Sequence, residues 1–227
     1  MSSTAILIPA RYASTRFPGK PLTMLGDKTM IERVVLKCLD TGLDTFVLTD
    51  NRTIAYAAKQ AGAQSFIDSH DYNNGTERCS GALRSYLLDG YDKFINVQGD
   101  MPDVTPQIIQ KTNQQLNDYE VSTVCTLMPE KEQNNPNTVK LIRGNGKCLW
   151  FGRGITGYGD WHLGVYGYRR ETLQSYLNLI HYREEEIEKL EQLRWLKNGV
   201  QIGVIAVEWN GVEINTPEDV EKWNESR

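Results

Sequence analysis

Short apolar runs alternate with stretches of helical period through the first half of the chain. AILIPA (5–10) reads as a strand, TMIERVVLKCLDTG (29–42) as an amphipathic helix, TFVLTD (45–50) as a strand, TIAYAAKQAGA (53–63) as a helix and QSFID (64–68) as a strand. This is a βαβαβ pattern. A further helix is predicted over TERCSGALRSYLLDG (76–90), then a strand KFINVQ (93–98) and a helix from Pro106 to about Leu116. Such alternation predicts an α/β fold with a mostly parallel central sheet and helices on both faces. From Glu120 the pattern changes. VSTVCTLM, TVKLIR, KCLWFG and HLGVYGYR read as strands joined by short turns, one of them at Gly144-Asn145-Gly146, and predict antiparallel additions. A short helix over 171–179, a longer charged helix over REEEIEKLEQLRWLKNG (183–199), a strand VQIGVIAV (200–207) and a last helix begun at Thr216 follow. With no repeat, low-complexity tract or linker to divide it, the chain reads as one domain over 1–227.

Composition narrows the classes. The chain has 227 residues, 40% of them hydrophobic and 24% charged, enough to bury a core and unlike a disordered segment. No run approaches the roughly 18 apolar residues that span a bilayer. The opening MSSTAILIPA enters a strand without a basic leader, so the reading is cytoplasmic, with no membrane partner. The 25 basic residues against 29 acidic ones are dispersed, which argues against a nucleic-acid partner. Cys38, Cys79, Cys125 and Cys148 form no CxxC pair and read as reduced, partly buried residues.

In an open parallel sheet, ligands bind outside the carboxyl ends of the strands, where strand order reverses. The loop after the first strand, PARYASTRFPGKPL (9–22), gathers Arg11, Arg16 and Lys20 with Ser14, Thr15 and Gly19. Guanidinium forks bind phosphate oxygens in pairs and glycine admits backbone N–H groups, so the loop is built like a polyanion cradle; a solvated basic loop is the alternative. It matches neither the Walker A spacing nor GxGxxG. NVQGDMP (96–102) ends the fourth strand. Asp100 there is a hard oxygen ligand suited to Mg²⁺ opposite a phosphate loop, or else a turn residue. Gln98 could read a nucleobase edge or satisfy the strand end.

In NNGTER (73–78), Thr76 is a candidate N-cap, and Arg78 in the first turn either meets an external anion or carbonyl or is simply exposed. His162 opens HLGVYGYR with Arg153 and Tyr166 nearby, and position alone gives it no role. In EIEKLEQLRWL, Glu188, Glu191 and Gln192 share a polar face that reads as solvated, with Ile187, Leu190, Leu193 and Leu196 turned inward. INTPEDV is a helix start, and capping alone could explain its residues.

PARYASTRFPGKPL, NNGTER, NVQGDMP, NPNTVK, HLGVYGYR, EKLEQLR and INTPED, in this order, resemble the CMP-Kdo synthetases, the 3-deoxy-manno-octulosonate cytidylyltransferases, over nearly the whole chain. The first and third motifs are shared with wider sugar nucleotidyltransferases, whereas HLGVYGYR with LEQLR marks the Kdo branch. The resemblance implies a GT-A-like fold, with a nucleotide-binding half about 1–118 and a sugar-acid-binding half about 119–227. It implies CTP and Mg²⁺, transfer of CMP to the anomeric hydroxyl of Kdo, release of pyrophosphate, and a product used in lipopolysaccharide or capsule assembly. Carried over, Arg11, Ser14, Arg16 and Lys20 would hold the CTP phosphates, with Arg11, Arg16, Lys20 and Asp100 serving catalysis. Arg78 and Gln98 would hold the cytosine, Asp100 and the position of Asn215 the metal. Arg153, His162, Tyr166, Glu191 and Gln192 would line the sugar-acid pocket. Three departures stand out. Asn215 replaces the family's Asp and offers oxygen without charge, and Met101 replaces the Glu of QGDEP. The segment GRGITGYGDW (152–161) is a shortened form of one that in relatives shapes the sugar pocket and a homodimer contact. A modified octulosonate or nonulosonate acceptor, or a nucleotide-binding relative with weak catalysis, are the competing readings.

Overall fold

The computed structural model describes residues 3–13 and 17–225. Along the chain come β1 (Thr4–Ala10), β2 (Met24–Leu25), β3 (Lys28–Thr29), α1 (Met30–Leu39), β4 (Asp44–Thr49), α2 (Arg52–Gln60), β5 (Gln64–Ile67), α3 (Gly75–Ala82), β6 (Lys93–Val97), α4 (Pro106–Gln115) and β7 (Val121–Thr126). They continue with β8 (Lys140–Gly144), β9 (Lys147–Gly152), β10 (Asp160–Arg169), α5 (Arg170–Ser175), α6 (Arg183–Glu188), α7 (Leu193–Lys197), β11 (Ile202–Ala206) and α8 (Pro217–Glu225).

Side-chain caps start the first-half helices where the chain leaves the sheet. Thr29 and Glu32 form a reciprocal capping box on α1, and Asn51 accepts from Thr53 and Ile54 N–H groups at the head of α2. Thr105 caps α4, with Pro106 in the first turn. β1 is apolar on both sides because both are covered. Ala5 and Leu7 enter one core cluster with Cys79 and Ala82 of α3, Leu173 of α5 and Trp195 of α7. Ile6, Ile8 and Ala10 enter another with Ile31 and Val35 of α1, Ile54 of α2 and Ile108 of α4. A third cluster joins Leu25, Met30, Ile214 and Trp223 beneath α8.

The nine-stranded sheet runs β5-β4-β1-β6-β10-β7-β11-β9-β8 and is mixed, which corrects the mostly parallel sheet read from the sequence. β5, β4, β1 and β6 pair in parallel, as do β7 and β11. Between these blocks lies β10, antiparallel to both β6 and β7. Alternation along a chain orders the strands but does not say which become neighbours, and the reversed strand entered the middle of the sheet instead of being added at its edge. β10 carries an irregularity against β7, where Leu163 faces Val124 and the next pair is Tyr166 with Thr123. Irregularities of this kind re-aim side chains next to sites.

Two helices are shorter than their apolar patterns suggest. α3 stops at Ala82 and a 3-10 turn over Tyr86–Leu88 replaces its continuation. The helix expected over 183–199 breaks at Lys189, whose φ of 53° is left-handed. The break turns the second segment inward, so Gln192 and Arg194 are buried while Ile187 is exposed, against the expected faces.

Arg194 anchors that turn. Its guanidinium donates to both Glu185 oxygens, to Glu77 of α3 at 3.0 Å, and lies 4.2 Å above the Tyr176 ring. Glu77 also accepts from the Asn73 backbone and side chain. Arg194→Ala would leave two buried carboxylates without their shared cation, an arrangement that costs about 3–5 kcal/mol. The expected outcome is a loss of unfolding free energy of about that size in urea, seen as a lowered midpoint, and a midpoint within error of the parent would remove the triad from the stability of this half.

Candidate functional site

Strand order reverses between β1 and β6, and their carboxyl ends open on the same crevice. At the far end of the β1 loop, the Gly19 N–H donates to the Tyr12 carbonyl at 3.0 Å. Gly19 holds φ 71°, a conformation that glycine adopts without strain. Lys20 follows in a 3-10 turn, and its Nζ donates to Asp100 Oδ2 and to the Ile214 carbonyl, each at 2.8 Å. The Ile214 N–H in turn donates to the Asp100 carbonyl at 3.0 Å. Arg11 is exposed at the mouth of the loop, whereas Ser14 and Arg16 lie outside the described residues.

Ile214 is buried in the third core cluster, and its neighbours Glu213 and Asn215 are half-buried on either side. Burial pushes the Glu213 carboxyl up to about 8, and the Asp100 carboxylate adds to the rise. Lys20, Arg153 and the Gly164 N–H act in the opposite sense. Among the described residues no three His, Cys, Asp or Glu side chains gather into a metal cage. The donor chemistry nonetheless fits Mg²⁺, which takes one or two carboxylates and completes its shell with water and substrate phosphates. Asp100 offers such a carboxylate, already opposite a cation, and Asn215 an amide oxygen two residues from Glu213. Met101 points into the core with 0% exposure, so the departure at that position places no side chain in the crevice.

The other expected residues surround the start of β10. Gln98 lies against Gly164, where a Cβ would come within 3.0 Å of its Cδ, so glycine makes room for the amide. His162 is buried between Phe151 and Tyr166, with ring centroids 5.1 and 5.2 Å away. The Thr123 hydroxyl donates to the Val165 carbonyl at 2.8 Å and so has only a lone pair for His162 Nε2 at 3.1 Å. The hydrogen of this imidazole therefore sits on Nε2, and Nδ1 is its acceptor. Burial, and secondarily the charge of Arg153, push the His162 pKa down to about 3, which keeps the ring neutral.

Tyr166 stacks on Tyr168 at 6.1 Å, and the Tyr168 hydroxyl meets Thr76 Oγ1 at 3.1 Å. Thr76 donates to Glu191 Oε1 at 2.9 Å, while burial pushes the Glu191 carboxyl up. Thr76 is thus a contact of the second half and not the N-cap, a place taken by Asn74, whose side chain accepts from Glu77 N–H. Arg78 is buried, donating to the Asp68 carbonyl at 3.3 Å with its guanidinium 5.2 Å from the Tyr72 ring. Tyr72 fits because Gly81 has no Cβ to collide with its hydroxyl. Arg153 is moored to Glu188 through its N–H at 2.7 Å and its Nε at 3.2 Å, and to the Asn137 carbonyl at 2.6 Å. Glu188 is therefore part of this framework and not of a solvated face.

Five contributors escaped the sequence reading. Glu213 lies beside a motif read as helix capping, and Thr123 sits in an ordinary strand. Glu77 and Arg194 are members of NNGTER and LEQLR, but neither spacing reveals that they meet. Lys140, the last residue of NPNTVK, is fully buried with its Nζ on the Asn135 and Arg153 carbonyls. A lysine inside an apolar strand pattern was the available signal.

The sequence model described as Cytidylyltransferase matches residues 5–202. A 3-deoxy-manno-octulosonate cytidylyltransferase of Parabacteroides distasonis is 36% identical, over 95% of this chain and 94% of that protein. An 8-amino-3,8-dideoxy-manno-octulosonate cytidylyltransferase of Shewanella halifaxensis is 35% identical, over 96% of each. The solved structure of a CMP:2-keto-3-deoxy-manno-octonic acid synthetase complexed with CTP superposes with a TM-score of 0.90 at 32% identity, covering 99% of this chain and 98% of that one.

The neutral His162 sets a pH signature. Its folded pKa near 3 lies below the ordinary value of about 6.5, so the unfolded chain binds the extra proton between them. Its favourable contribution is complete above about pH 6.5 and is lost as pH falls toward 3. Thermal unfolding from pH 7 to 4 should therefore show a steeper loss for the parent than for His162→Gln. Parallel curves would mean that the ring takes up its proton in the fold as readily as in the unfolded chain.

Proposed function

The chain belongs to the CMP-Kdo synthetase family of cytidylyltransferases, and on that premise we propose that it transfers CMP from CTP to the anomeric hydroxyl of Kdo or a Kdo-like sugar acid, releasing pyrophosphate with Mg²⁺ as cofactor. The observation that carries this reading is the joining of Lys20, Asp100 and Ile214 at the strand-order reversal. A phosphate-loop cation, a strand-end carboxylate and the segment before α8 meet there.

In this reading Arg11, Ser14, Arg16 and Lys20 hold the CTP phosphates, and Arg78 and Gln98 recognise the cytosine edge. Asp100 and Asn215 face the metal. Arg153, His162, Tyr166, Glu191 and Gln192 form the sugar-acid pocket, where His162 Nδ1 offers a hydroxyl an acceptor and Arg153 offers a carboxylate a cation. The sugar oxygen forms a bond to the α-phosphorus as the bond from that phosphorus to the pyrophosphate oxygen breaks, and the hydroxyl proton is released to water. Such an in-line displacement depends on alignment and charge neutralisation more than on covalent chemistry by the protein. When bound, Mg²⁺ supplies charge neutralisation and polarisation of a phosphoryl oxygen. Lys20, turning from Asp100 to the phosphates, would exchange one anion for another at little electrostatic cost.

A modified acceptor is the second reading. It is favoured because the 8-amino-type relative is about as similar to this chain as the 3-deoxy type.

Pyrophosphate release measured with Mg²⁺, with and without Kdo, and with CTP against UTP, ATP and GTP tests the proposal. The expected outcome is Kdo-dependent release preferring CTP, lowered about 100-fold or more by Asp100→Ala. Release with an 8-amino acceptor and none with Kdo would select the second reading. Full activity of Asp100→Ala would refute the metal assignment.

A further inference from the structure

We propose that Thr123, a fully buried strand residue, selects the sugar acid through His162: it fixes the imidazole as a hydrogen-bond acceptor, so the substrate group opposite Nδ1 must carry a hydrogen. The inference rests on the cytidylyltransferase reading above, which puts His162 in the sugar-acid pocket, and adds to it the positioning residue that decides what His162 can recognise.

The contacts leave the ring one arrangement. Thr123 is 0% exposed, so its hydroxyl is satisfied inside the protein. Its single hydrogen goes to the Val165 carbonyl at 2.8 Å, and its oxygen faces His162 Nε2 at 3.1 Å. A hydroxyl whose hydrogen is already given can meet a ring nitrogen only as an acceptor, which requires the N–H at Nε2. Phe151 and Tyr166 hold the plane of the ring from two sides. Burial keeps the imidazole neutral, so Nδ1 carries a lone pair and no second hydrogen. Among the described residues nothing donates to Nδ1, and that lone pair is left for a ligand.

The carbonyl that takes the Thr123 hydrogen is supplied by the irregularity of β10. Leu163 faces Val124 and Tyr166 faces Thr123, so Gly164 and Val165 lie between two consecutive positions of β7. The Gly164 carbonyl accepts from the Gln98 N–H at 3.3 Å, and its missing Cβ makes room for the Gln98 side chain. The Val165 carbonyl orients Thr123. One local departure from the ladder thus serves both the residue expected at the cytosine and the residue expected at the sugar. A neutral acceptor fixed in this sense bonds a sugar hydroxyl, whereas a carboxylate oxygen would set lone pair against lone pair. The acid group of the substrate is thereby turned away from His162 and left to Arg153, which fixes the end by which the sugar acid enters.

The test begins with the tautomer of His162, read from long-range ¹H–¹⁵N correlation spectra of the whole chain. There are only 3 histidines, and His162→Gln identifies the signals of this one. The parent is expected to carry its hydrogen on Nε2 and none on Nδ1. Thr123→Val keeps the shape and removes the hydroxyl. It is expected to move the hydrogen to Nδ1, since an N–H against the valine methyl would be buried without a partner. In pyrophosphate release the same variant is expected to raise KM for Kdo about fivefold or more, the loss of roughly one neutral hydrogen bond, with KM for CTP within about twofold of the parent. Thr123→Ser is expected to retain the parent tautomer and the parent KM for Kdo. Serine fills the strand position less well than valine, so rescue by serine separates positioning from packing. A parent with its hydrogen on Nδ1, a Thr123→Val variant with an unchanged tautomer, or an unchanged KM for Kdo in that variant would overturn the role of Thr123 while leaving the cytidylyltransferase reading intact. A parent that shows the expected tautomer and releases no pyrophosphate with any sugar acid would overturn the selecting role together with the reading on which it rests.

Discussion

The ammonium of Lys20, held between the Asp100 carboxylate and the Ile214 carbonyl, joins three segments that are far apart in the sequence. The ion pair is about one-fifth exposed on each side, so solvent screens it and its value lies in geometry more than in stability. It places the end of the β1 loop over the end of β6 and brings the segment before α8 to the same crevice. Asp103 reinforces the arrangement by accepting from the Val212 N–H and the Trp223 indole, and Trp223 packs with Leu25, Met30 and Ile214. A nucleotide would enter a frame whose cation is already in place and able to change partners.

The second half of the crevice is organised by a buried charge instead. Arg194 ties α3 to the segment that follows the break at Lys189, and Glu191 comes to rest on Thr76 in the first turn of α3. The residues that would meet the nucleobase and those that would meet the sugar acid are consequently linked through α3. β10 completes the enclosure. Its position between β6 and β7 puts His162, Gly164 and Tyr166 beside Gln98, and its irregularity against β7 lets Thr123 reach both His162 and the Val165 carbonyl. Neutral, aromatic-packed and fully oriented, His162 is suited to accepting a hydrogen bond and unsuited to carrying a charge.

The alternating first half was legible because each element there is short, capped by a recognisable residue and buried on a regular period. Thr29 with Glu32, Asn51 and Thr105 are local signals, and local signals survive in a sequence. The charged stretch 183–199 misled because a helical period continues across Lys189, where the chain turns left-handed to bury Arg194 against Glu77 and Glu185. Thr76 misled for a similar reason: its hydroxyl suits an N-cap, yet Glu191 and Tyr168 offered stronger partners from more than ninety residues away.

By itself the sequence determined the α/β class, the order of most elements, the placement of Lys20 and Asp100 after apolar strands, and a motif series shared with a family of cytidylyltransferases. Periodicity, capping and turn chemistry act over a few residues and can be read there. Only the tertiary structure decided that β10 enters the middle of the sheet, that Glu77 and Arg194 share a buried ion pair, and that Ile214 before α8 docks on Asp100. These outcomes depend on which surfaces meet, and the energies of burial and charge that select them arise only between segments brought together by the fold.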